Sequence, residues 1–432
     1  MKKLLCVVLA MVLCLGLFAC GKKEQTAAPK MEGLNIGFGR ADITPDAPIG
    51  LHGFGDVSSR LSTGVHTPIM ATCVAITYGE ETVLLYTVDI IGLRSTLVDK
   101  YRPAVSKATG IPERNILACG THTHSGPSPD SDTTGKYWSE NFVNGMVDAG
   151  KAAMADRSPA TLKAGSTTVE NMNFVRHYLT DQGNVIGDNF GSEKTDGKRV
   201  SHATEVDDEL QIIQVSREGK KNIVMVNWQG HPKCAGTAET SEGKSMRTLL
   251  SADYVGSCRK FLEDNHDVLF AFFLGASGNV NVLSKFTYEM NNCPKHVDQY
   301  GQKLGLAILE ALPTLADQGQ PELKHASTDH MAKQHSGTEV PFEIGTAMLG
   351  DIAFVTAPYE MFDTDGMYVK DNSPSEITFI MTVANGHAGY MPSDYAHDYN
   401  NCYEVRSSRY QRGTAEACAE TMVNQLNTLA GK

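Results

Sequence analysis

The stretch Thr121-His-Thr-His-Ser-Gly-Pro127 directly follows a strand-like apolar run, Asn115 to Cys119. Side chains two residues apart in an extended segment point to the same side. His122 and His124 are therefore predicted to present ring nitrogens into one cavity, to a metal ion or to a substrate atom beside it. The alternative is a solvent-facing histidine pair on a loop.

Segments rich in Val, Ile, Leu and Thr recur on both sides of this stretch and alternate with longer helical patterns. The predicted strands are 34–39, 70–78, 82–89, 115–119, 161–169, 210–215, 222–228, 268–274, 344–349, 352–356 and 377–382. The predicted helices are 97–109, 137–155, 249–265, 296–316 and 413–429. This alternation predicts an α/β protein with layered mixed β-sheets and helices on the outer faces. No linker or repeat divides the chain after residue 32, which favours one large domain.

Three further polar residues follow predicted strands, where a rigid scaffold often holds functional groups. His231 comes three residues after Trp228, Glu360 follows the strand 352–356, and Tyr390 follows the strand 377–382. Each has a plainer interpretation: His231 as a buried structural histidine, Glu360 as the cap of a helix, and Tyr390 as a core residue.

The N-terminus has the pattern of an export signal. Lys2 and Lys3 precede an apolar run from Leu4 to Phe18 and the small residues before Gly21. Residues 17–20, Leu-Phe-Ala-Cys, resemble the bacterial lipoprotein cleavage box, in which the cysteine is lipidated. We therefore predict a lipoprotein signal peptide over 1–19, a tether over 20–32 anchored through Cys20, and a catalytic domain over 33–432, exported and lipid-anchored to the outer face of a bacterial membrane.

Charge and cysteine content narrow the partners further. The formal charge is -12, and it becomes -14 without residues 1–19, which hold two lysines and no acid. An acidic chain argues against a nucleic-acid surface. Seven cysteines remain beyond Cys20, and none lies in a Cys-x-x-Cys metal motif.

Several segments of the sequence, taken in chain order, resemble the catalytic domain of the neutral/alkaline, non-lysosomal ceramidase family. The matching segments are 37–45 (Gly-Phe-Gly-Arg-Ala-Asp-Ile-Thr-Pro), 121–127, 227–232, 275–281, 357–360, 385–390 (Asn-Gly-His-Ala-Gly-Tyr) and 403–405 (Tyr-Glu-Val). They span nearly the whole chain after the predicted tether. The resemblance implies the family's layered α/β catalytic fold.

The resemblance also implies a single zinc site. Its ligands would be His122, His231, Glu360 and Tyr390, and the residues that contact the scissile amide or its developing oxyanion would be His124, Arg176 and Tyr403. Imidazole, carboxylate and phenolate donors suit zinc, and an open position on such a site lowers the pKa of a bound water to roughly 7. His124 would then transfer a proton to the leaving amine, and Arg176 or Tyr403 would stabilise the oxyanion.

Two departures from the family bear on the substrate. The family turn Gly-Asp-Val-Ser-Pro-Asn is here Gly278-Asn-Val-Asn-Val282, so Asn281 stands where the family has serine. Ceramidases continue into a C-terminal β-sandwich, whereas this sequence stops at Lys432. The segment after Tyr390 is rich in Tyr, Asn and Asp, which indicates a polar pocket rather than one for a long-chain lipid.

The sequence therefore predicts a zinc-dependent hydrolase that cleaves the amide bond of an N-acyl substrate, ceramide-like or other, through a metal-activated water. An esterase or other acyl hydrolase is the alternative within the enzyme class. A non-catalytic surface lipoprotein on the same fold is the alternative outside it. The presence of all four metal-binding side chains favours the enzyme, because a binding module has no physical need for a complete ligand set.

Overall fold

The structure is a computed structural model, and it describes residues 31–55, 60–130, 135–183, 185–187, 197–236, 239–240, 243–282, 296–399 and 402–432. Residues 31–432 form one compact unit. The predicted signal peptide and the lipidation site Cys20 lie outside the described residues. The first strand begins at Met31, so the last two residues of the predicted tether belong to it.

Within the described residues the chain forms 22 strands and seven α-helices. The strands are β1 (Met31–Asp42), β2 (Gly64–Val65), β3 (Met70–Gly79), β4 (Glu81–Val88), β5 (Ile116–Gly120), β6 (Ser158–Thr168), β7 (Phe174–Val175), β8 (His177–Thr180), β9 (Val185–Gly187), β10 (Arg199–His202), β11 (Glu209–Arg217), β12 (Asn222–Trp228), β13 (Leu249–Leu250), β14 (Val268–Leu274), β15 (Val280–Asn281), β16 (Ala316–Gly319), β17 (Leu323–Lys333), β18 (Glu339–Leu349), β19 (Ile352–Thr356), β20 (Glu360–Met361), β21 (Ile377–Met381) and β22 (Tyr390–Met391). The helices are α1 (Ser95–Thr109), α2 (Phe142–Asp156), α3 (Asp253–Asn265), α4 (Val297–Ala311), α5 (Asp363–Asn372), α6 (Tyr403–Ser407) and α7 (Thr414–Ala430).

Two mixed sheets dominate the fold. The large sheet has nine strands in the order β14-β12-β11-β6-β1-β3-β4-β5, with β16 paired to β6. The small sheet has four strands in the order β17-β18-β19-β21. Most neighbours are antiparallel, but β4 with β5, β12 with β14 and β19 with β21 run parallel.

The two sheets pack face to face, and period-2 alternation decides which side chains lie between them. Val74 and Phe273 of the large sheet share one buried cluster with Phe354 and Phe379 of the small sheet. The rings of Phe273 and Phe379 lie 6.1 Å apart across the interface. Phe272, one residue earlier, belongs instead to the cluster on the opposite face.

Helices cover both outer faces. Helices α1 and α2 pack on the β1, β3, β4 and β5 end of the large sheet, and α3 and α4 on its β11, β12 and β14 end. Helices α5 and α7 cover the small sheet. The predicted fold class, layered mixed sheets with outer helices, is confirmed.

The glycines of the 37–45 segment set the distance between β1 and α2. A Cβ at Gly37 would lie 2.0 Å from the Ala153 carbonyl oxygen, and one at Gly39 would lie 2.1 Å from the Ala149 oxygen. Any larger residue would therefore push α2 away from the sheet. This segment of the family resemblance serves packing rather than chemistry.

Two observations concern membrane-spanning helices and disulfide bonds. None of the helices in the described part of the chain is both long enough and apolar enough to span a membrane. The six cysteines among the described residues are buried and form no disulfide with one another. The seventh, Cys293, lies outside them.

Helix α5 contains a carboxyl group whose titration should affect stability. Asp365 is buried and accepts a hydrogen bond of 2.6 Å from the Ser393 hydroxyl. Burial raises the pKa of Asp365 from 3.8 to about 7, and the nearby carboxyl of Glu416 adds to the rise. The folded chain thus keeps a proton that the unfolded chain releases near pH 4, so the free energy of unfolding should fall as pH rises from about 4 to 7.

We expect Asp365→Asn to remove this part of the pH dependence, which amounts to at most about 4 kcal/mol between the two ends of that range. Urea unfolding at a series of pH values measures the effect. Asp371→Asn, an exposed position on the same helix, is the control and should keep the slope of the unsubstituted protein. Parallel pH curves for Asp365→Asn and the unsubstituted protein would contradict the prediction.

Candidate active site

The predicted site residues come from loops at the carboxyl ends of strands in both sheets. His122 and His124 follow β5, and His231 follows β12. Glu360 and Tyr390 follow β19 and β21, and they lie side by side in the short parallel pair β20–β22. The structure thus brings the two predicted histidine ligands, the carboxylate and the phenol to one place.

The two histidines after β5 are brought together by a backbone conformation different from the predicted one. Strand β5 ends at Gly120, and His122 has a left-handed backbone with φ of 65°. The prediction that the pair lies in an extended segment is therefore wrong. Hydrogen bonds hold the turn instead: the His122 amide donates to the Ile90 carbonyl at 2.9 Å, and the His124 amide donates to the Pro232 carbonyl at 2.9 Å.

His122 and His231 are buried, and each ring is fixed by a main-chain carbonyl. The Nδ1 of His122 lies 2.5 Å from the Ile91 oxygen, and the Nδ1 of His231 lies 3.0 Å from the Ser277 oxygen. Because a carbonyl only accepts, each Nδ1 must carry the proton, which leaves the Nε2 lone pair for another partner. A carbonyl behind a histidine in this way is typical of metal ligands.

The free lone pair of His122 faces an atom that also lacks an ordinary partner. The Nε2 of His122 lies 3.3 Å from Oε2 of Glu360, and both atoms are buried without a hydrogen bond. Buried polar atoms are rarely left without a partner in native proteins. An unpaired lone pair beside an unpaired carboxylate oxygen suits a cation between them.

His124 differs from the other two histidines. Its Nε2 lies 2.8 Å from Nε2 of His231, and its Nδ1 is buried without a hydrogen-bond partner. Since His231 already carries its proton on Nδ1, His124 is the donor in this contact. No carbonyl fixes the tautomer of His124, and its Nδ1 remains available to accept a proton.

The donor atoms are close enough for one ion. One ligand nitrogen each from His122, His124 and His231 lies within 4.8 Å of the others. Two candidate donor sets therefore overlap: the predicted one with Glu360 and Tyr390, and one with all three histidines. Both contain His122 and His231.

The site is electrostatically suited to neutral imidazoles. Burial lowers the pKa of His124 and His231 well below 6.5, and the neighbouring His122 adds to the effect in both cases. Neutral imidazole is the form that binds metal. Burial raises the pKa of Tyr390 well above its ordinary value, followed by repulsion from Glu360, so its phenolate needs a cation close by.

Arg176 lies behind Tyr390 and is fully buried. Its guanidinium donates to Oε1 of Glu404 at 2.6 Å, to Oδ1 of Asn281 at 3.2 Å and to the Tyr390 hydroxyl at 3.3 Å. The residue that replaces the family serine, Asn281, thus binds Arg176. Arg176 is not among the residues that line the cleft.

A second cluster of donors surrounds Glu404. Its Oε2 lies 3.2 Å from Nε2 of His177 and 3.1 Å from the thiol of Cys402, and all three residues are buried. These groups are already hydrogen-bonded to one another, and Glu404 is ion-paired with Arg176. The arrangement holds Arg176 in place and offers no unoccupied donor to a second ion.

The site opens into a cleft of about 1230 Å³. Tyr403 lies on the cleft wall, with its ring 5.8 Å from that of Tyr390. The residues that line it are His52, Gly53, Phe54, Gly55, Ile91, Arg94, Ser95, Thr96, His122, His124, Asp130, Lys233, Arg247, Glu360, Gly386, His387, Ala388, Gly389, Tyr390, Tyr403, Ser407 and Arg409. His231 stands behind His124 rather than on the wall.

Several cleft residues were not predicted from the sequence. His387 lies three residues before Tyr390 with its ring 6.3 Å from His122, and burial lowers its pKa to about 3. His52 comes from a loop seventy residues before His122, and burial lowers its pKa to about 4. Proximity to Tyr390 was a signal for His387, whereas nothing in the local sequence distinguished His52. Asp89, another acid at a strand end, is bound by Arg259 at 2.9 and 3.0 Å and does not face the histidines.

Comparison with known proteins bears on both fold and family. Residues 34–273 match the family described as neutral/alkaline non-lysosomal ceramidase, N-terminal. No curated protein matches the chain. The fold is similar to the crystal structure of neutral ceramidase from Pseudomonas aeruginosa, with a TM-score of 0.72 and 16% identity over 93% of this chain and 75% of that one. A structure described as ceramidase complexed with C2 gives a TM-score of 0.73 and 15% identity, over 93% and 76% of the two chains.

Proposed function

Because the chain belongs to the neutral/alkaline non-lysosomal ceramidase family, we propose that it is a zinc-dependent hydrolase that cleaves the amide bond of an N-acyl substrate through an activated water. One observation carries the zinc site. The free Nε2 lone pair of the carbonyl-fixed His122 lies 3.3 Å from a buried carboxylate oxygen of Glu360 that also has no hydrogen-bond partner, and a ring nitrogen of the carbonyl-fixed His231 lies within 4.8 Å of one of His122.

In this proposal His122, His231, Glu360 and Tyr390 hold the ion. His122 and Glu360 offer a nitrogen and an oxygen 3.3 Å apart, a ring nitrogen of His231 lies within 4.8 Å of one of His122, and the phenol lies beside Glu360. Zinc bound by such donors supplies a Lewis acid and lowers the pKa of a coordinated water toward neutrality.

His124 is assigned to proton transfer rather than to metal binding. It lines the cleft, its tautomer is not fixed by a carbonyl, and burial keeps its ring neutral at pH 7. A neutral imidazole beside the reacting group accepts a proton from the attacking water and returns it to the leaving amine.

Tyr403 and Arg176 act on the negative charge that develops during the reaction. The Tyr403 phenol stands on the cleft wall and is the group that can donate to the substrate carbonyl oxygen as it becomes an oxyanion. Arg176 is proposed to act through Tyr390, because its guanidinium donates to the Tyr390 hydroxyl and lies 5.8 Å from the centre of that ring. A cation there favours the phenolate form.

The substrate class follows from the family and from the names of similar structures. One of those structures is a neutral ceramidase and another is a ceramidase in complex with C2. An N-acyl amine is the chemistry shared with them, and both lipids and more polar compounds contain such an amide. We further propose that the protein is exported and anchored through a lipidated Cys20, which would place the cleft at the outer face of a bacterial membrane.

Metal analysis and a substrate panel test the proposal together. The purified protein is expected to contain about one zinc per chain and to hydrolyse N-acyl amides, with activity lost on chelation and restored by zinc. Matched esters in the panel separate amidase from esterase. Hydrolysis of esters alone would favour the esterase, and a protein with neither zinc nor activity would favour the binding lipoprotein.

Gly53 offers a more local test of His124. A Cβ at Gly53 would lie 2.4 Å from Cγ and 2.5 Å from Cβ of His124, so Gly53→Ala must displace that ring. We expect kcat/KM for an N-acyl amide to fall about 100-fold, because a shift of this size misplaces the proton donor. Zinc content should not change.

Gly55→Ala is the matched control in the same loop. Gly53 and Gly55 both have positive φ, 113° and 85°, but a Cβ at Gly55 meets nothing within 4 Å. Both substitutions therefore carry the backbone strain, roughly 1 kcal/mol, and only Gly53→Ala touches His124. Equal activity of the two variants would remove His124 from the mechanism.

A further inference from the structure

Among the described residues, the cleft is lined by more arginines than acids. The arginines are Arg94, Arg247 and Arg409, and the acidic residues are Asp130 and Glu360. The chain as a whole has the opposite balance, with a net charge of -12. The cationic lining is therefore a local feature and not a consequence of composition.

Pairing inside the cleft leaves this excess in place. Asp130 accepts from Arg94 at 2.8 and 3.0 Å, so these two neutralise each other. Glu360 faces His122 at the metal site. Across the described ranges no carboxylate forms an ion pair with Arg247 or Arg409, both of which are exposed at the cleft.

A buried cation beneath the cleft adds to the same potential. The Arg60 guanidinium donates to the main-chain oxygens of His52 and His124 at 2.9 and 3.0 Å and to that of Arg247 at 3.1 Å. It also lies 4.9 Å from the centre of the Phe54 ring. These acceptors are neutral, and no acid in the described part of the chain pairs with Arg60. A charge held in this way is only partly compensated.

The cleft also has an apolar part. It consists of Phe54, Ile91, Ala388 and the rings of Tyr390 and Tyr403, and it can hold the acyl chain of a ligand. Ligand pockets commonly combine such an apolar lining with a few charged groups that fix orientation. A low-dielectric cleft with an excess of one charge concentrates ligands of the opposite charge.

We propose that the substrate carries a permanent negative charge, and that it is an N-acyl amine with a carboxylate, such as an N-acyl amino acid. The amide lies at the metal site, and the carboxylate pairs with Arg247 and Arg409 at the cleft. Arginine binds a carboxylate with two parallel hydrogen bonds, so the two arginines favour a ligand with a carboxylate over one with a neutral headgroup. The identity of the scissile bond rests on the proposed amide hydrolysis. The preference of the cleft for a negatively charged ligand does not depend on it.

Binding to the zinc-free protein tests the charge preference without requiring turnover. Calorimetry of the full chain would compare N-octanoylglycine with the neutral N-octanoylglycinamide, two compounds that differ only at the carboxylate. We expect the acid to bind about tenfold more tightly at low ionic strength, with the difference shrinking as salt is added. An N-octanoyltaurine arm distinguishes carboxylate from sulfonate recognition, since equal affinity would show that any anion suffices and would overturn the carboxylate assignment.

Substitution of the two arginines locates the preference. The double variant Arg247→Gln/Arg409→Gln should reduce the tenfold ratio to about twofold, because each arginine contributes a fraction of the charge pairing. The control is Arg114→Gln, an exposed arginine paired with Asp329 outside the cleft, which should keep the full ratio. Equal affinity for acid and amide, an unchanged ratio in the double variant, or no binding of either compound would each overturn the inference.

Failure of the proposed function has a different signature. If the zinc-loaded enzyme hydrolyses neither compound while the zinc-free protein still prefers the acid, the reaction is wrong and the charge preference stands. If it hydrolyses the neutral amide at least as well as the acid and binds both equally, the reaction stands and the preference is wrong.

Discussion

Replacement of His231 by alanine is expected to abolish zinc binding and to lower kcat/KM for an N-acyl amide about 1000-fold, equal to about 4 kcal/mol of transition-state stabilisation. His231 is fully buried with its Nδ1 proton held by the Ser277 carbonyl, so Nε2 is the nitrogen that can bind the proposed ion. Both candidate donor sets contain this nitrogen. Metal analysis and steady-state kinetics on the same preparation measure both effects.

Two further variants separate metal loss from misfolding. The His231 ring packs 4.5 Å from that of His122 and 4.8 Å from that of His124, so alanine also leaves a hole. His231→Asn keeps a donor for the Ser277 carbonyl but lacks Nε2, and it should fold normally while losing zinc. His266→Ala, at an exposed position, should retain both metal and activity. Full zinc occupancy together with full activity in His231→Ala would refute the ligand assignment.

Neutralising Glu404 is expected to have the second largest effect. Glu404→Gln leaves the fully buried Arg176 without its counter-charge, which should lower the free energy of unfolding by about 3 kcal/mol. Although burial raises the pKa of Glu404, attraction to Arg176 and then to His177 outweighs it and lowers that pKa, so the carboxylate is ionised at neutral pH. Urea unfolding and kcat/KM would be measured together.

Activity should fall as well, by about 100-fold, because Arg176 would no longer hold the Tyr390 phenol in place. Adding Arg176→Met to Glu404→Gln removes the unpaired cation and should restore part of the lost stability. Activity should stay low in the double variant, since Tyr390 has lost its donor. Recovery of activity with stability would show that the pair has a structural role alone. Glu420→Gln, exposed on α7, is the control.

The sequence predicted the core of the fold well because most strands of the two sheets carry apolar runs. All eleven predicted strands exist, and β12, β14 and β19 have the predicted bounds. Strand β17 was missed because most of its residues are polar and only its two ends have buried apolar side chains. Helix α5 was not among the predicted helices and entered only as the alternative in which Glu360 caps a helix. Its buried positions include Asp363, Asp365 and a glycine, which give no apolar stripe.

The site was predictable in its residues but not in its supports. The histidines, Glu360 and Tyr390 were first found from their positions after predicted strands, the family resemblance added their roles and Tyr403, and the structure brings these residues together. The backbone of His122 was predicted wrongly, because a left-handed conformation depends on hydrogen bonds to Ile90 and Ile91, which lie thirty residues earlier. The links from Glu404 to Arg176 and from Arg60 to His124 join residues far apart in sequence, and no local pattern encodes them.

The donors of the proposed zinc site come from opposite layers of the molecule. His122 and His231 extend from the large sheet, whereas Glu360 and Tyr390 extend from the small one. An ion held by all four would act as a cross-link that resists separation of the layers. Metal at a hundred times its dissociation constant would then stabilise the native protein by about 2.7 kcal/mol. Removal of the metal by a chelator would therefore lower the stability of the packing between the two sheets as well as the activity.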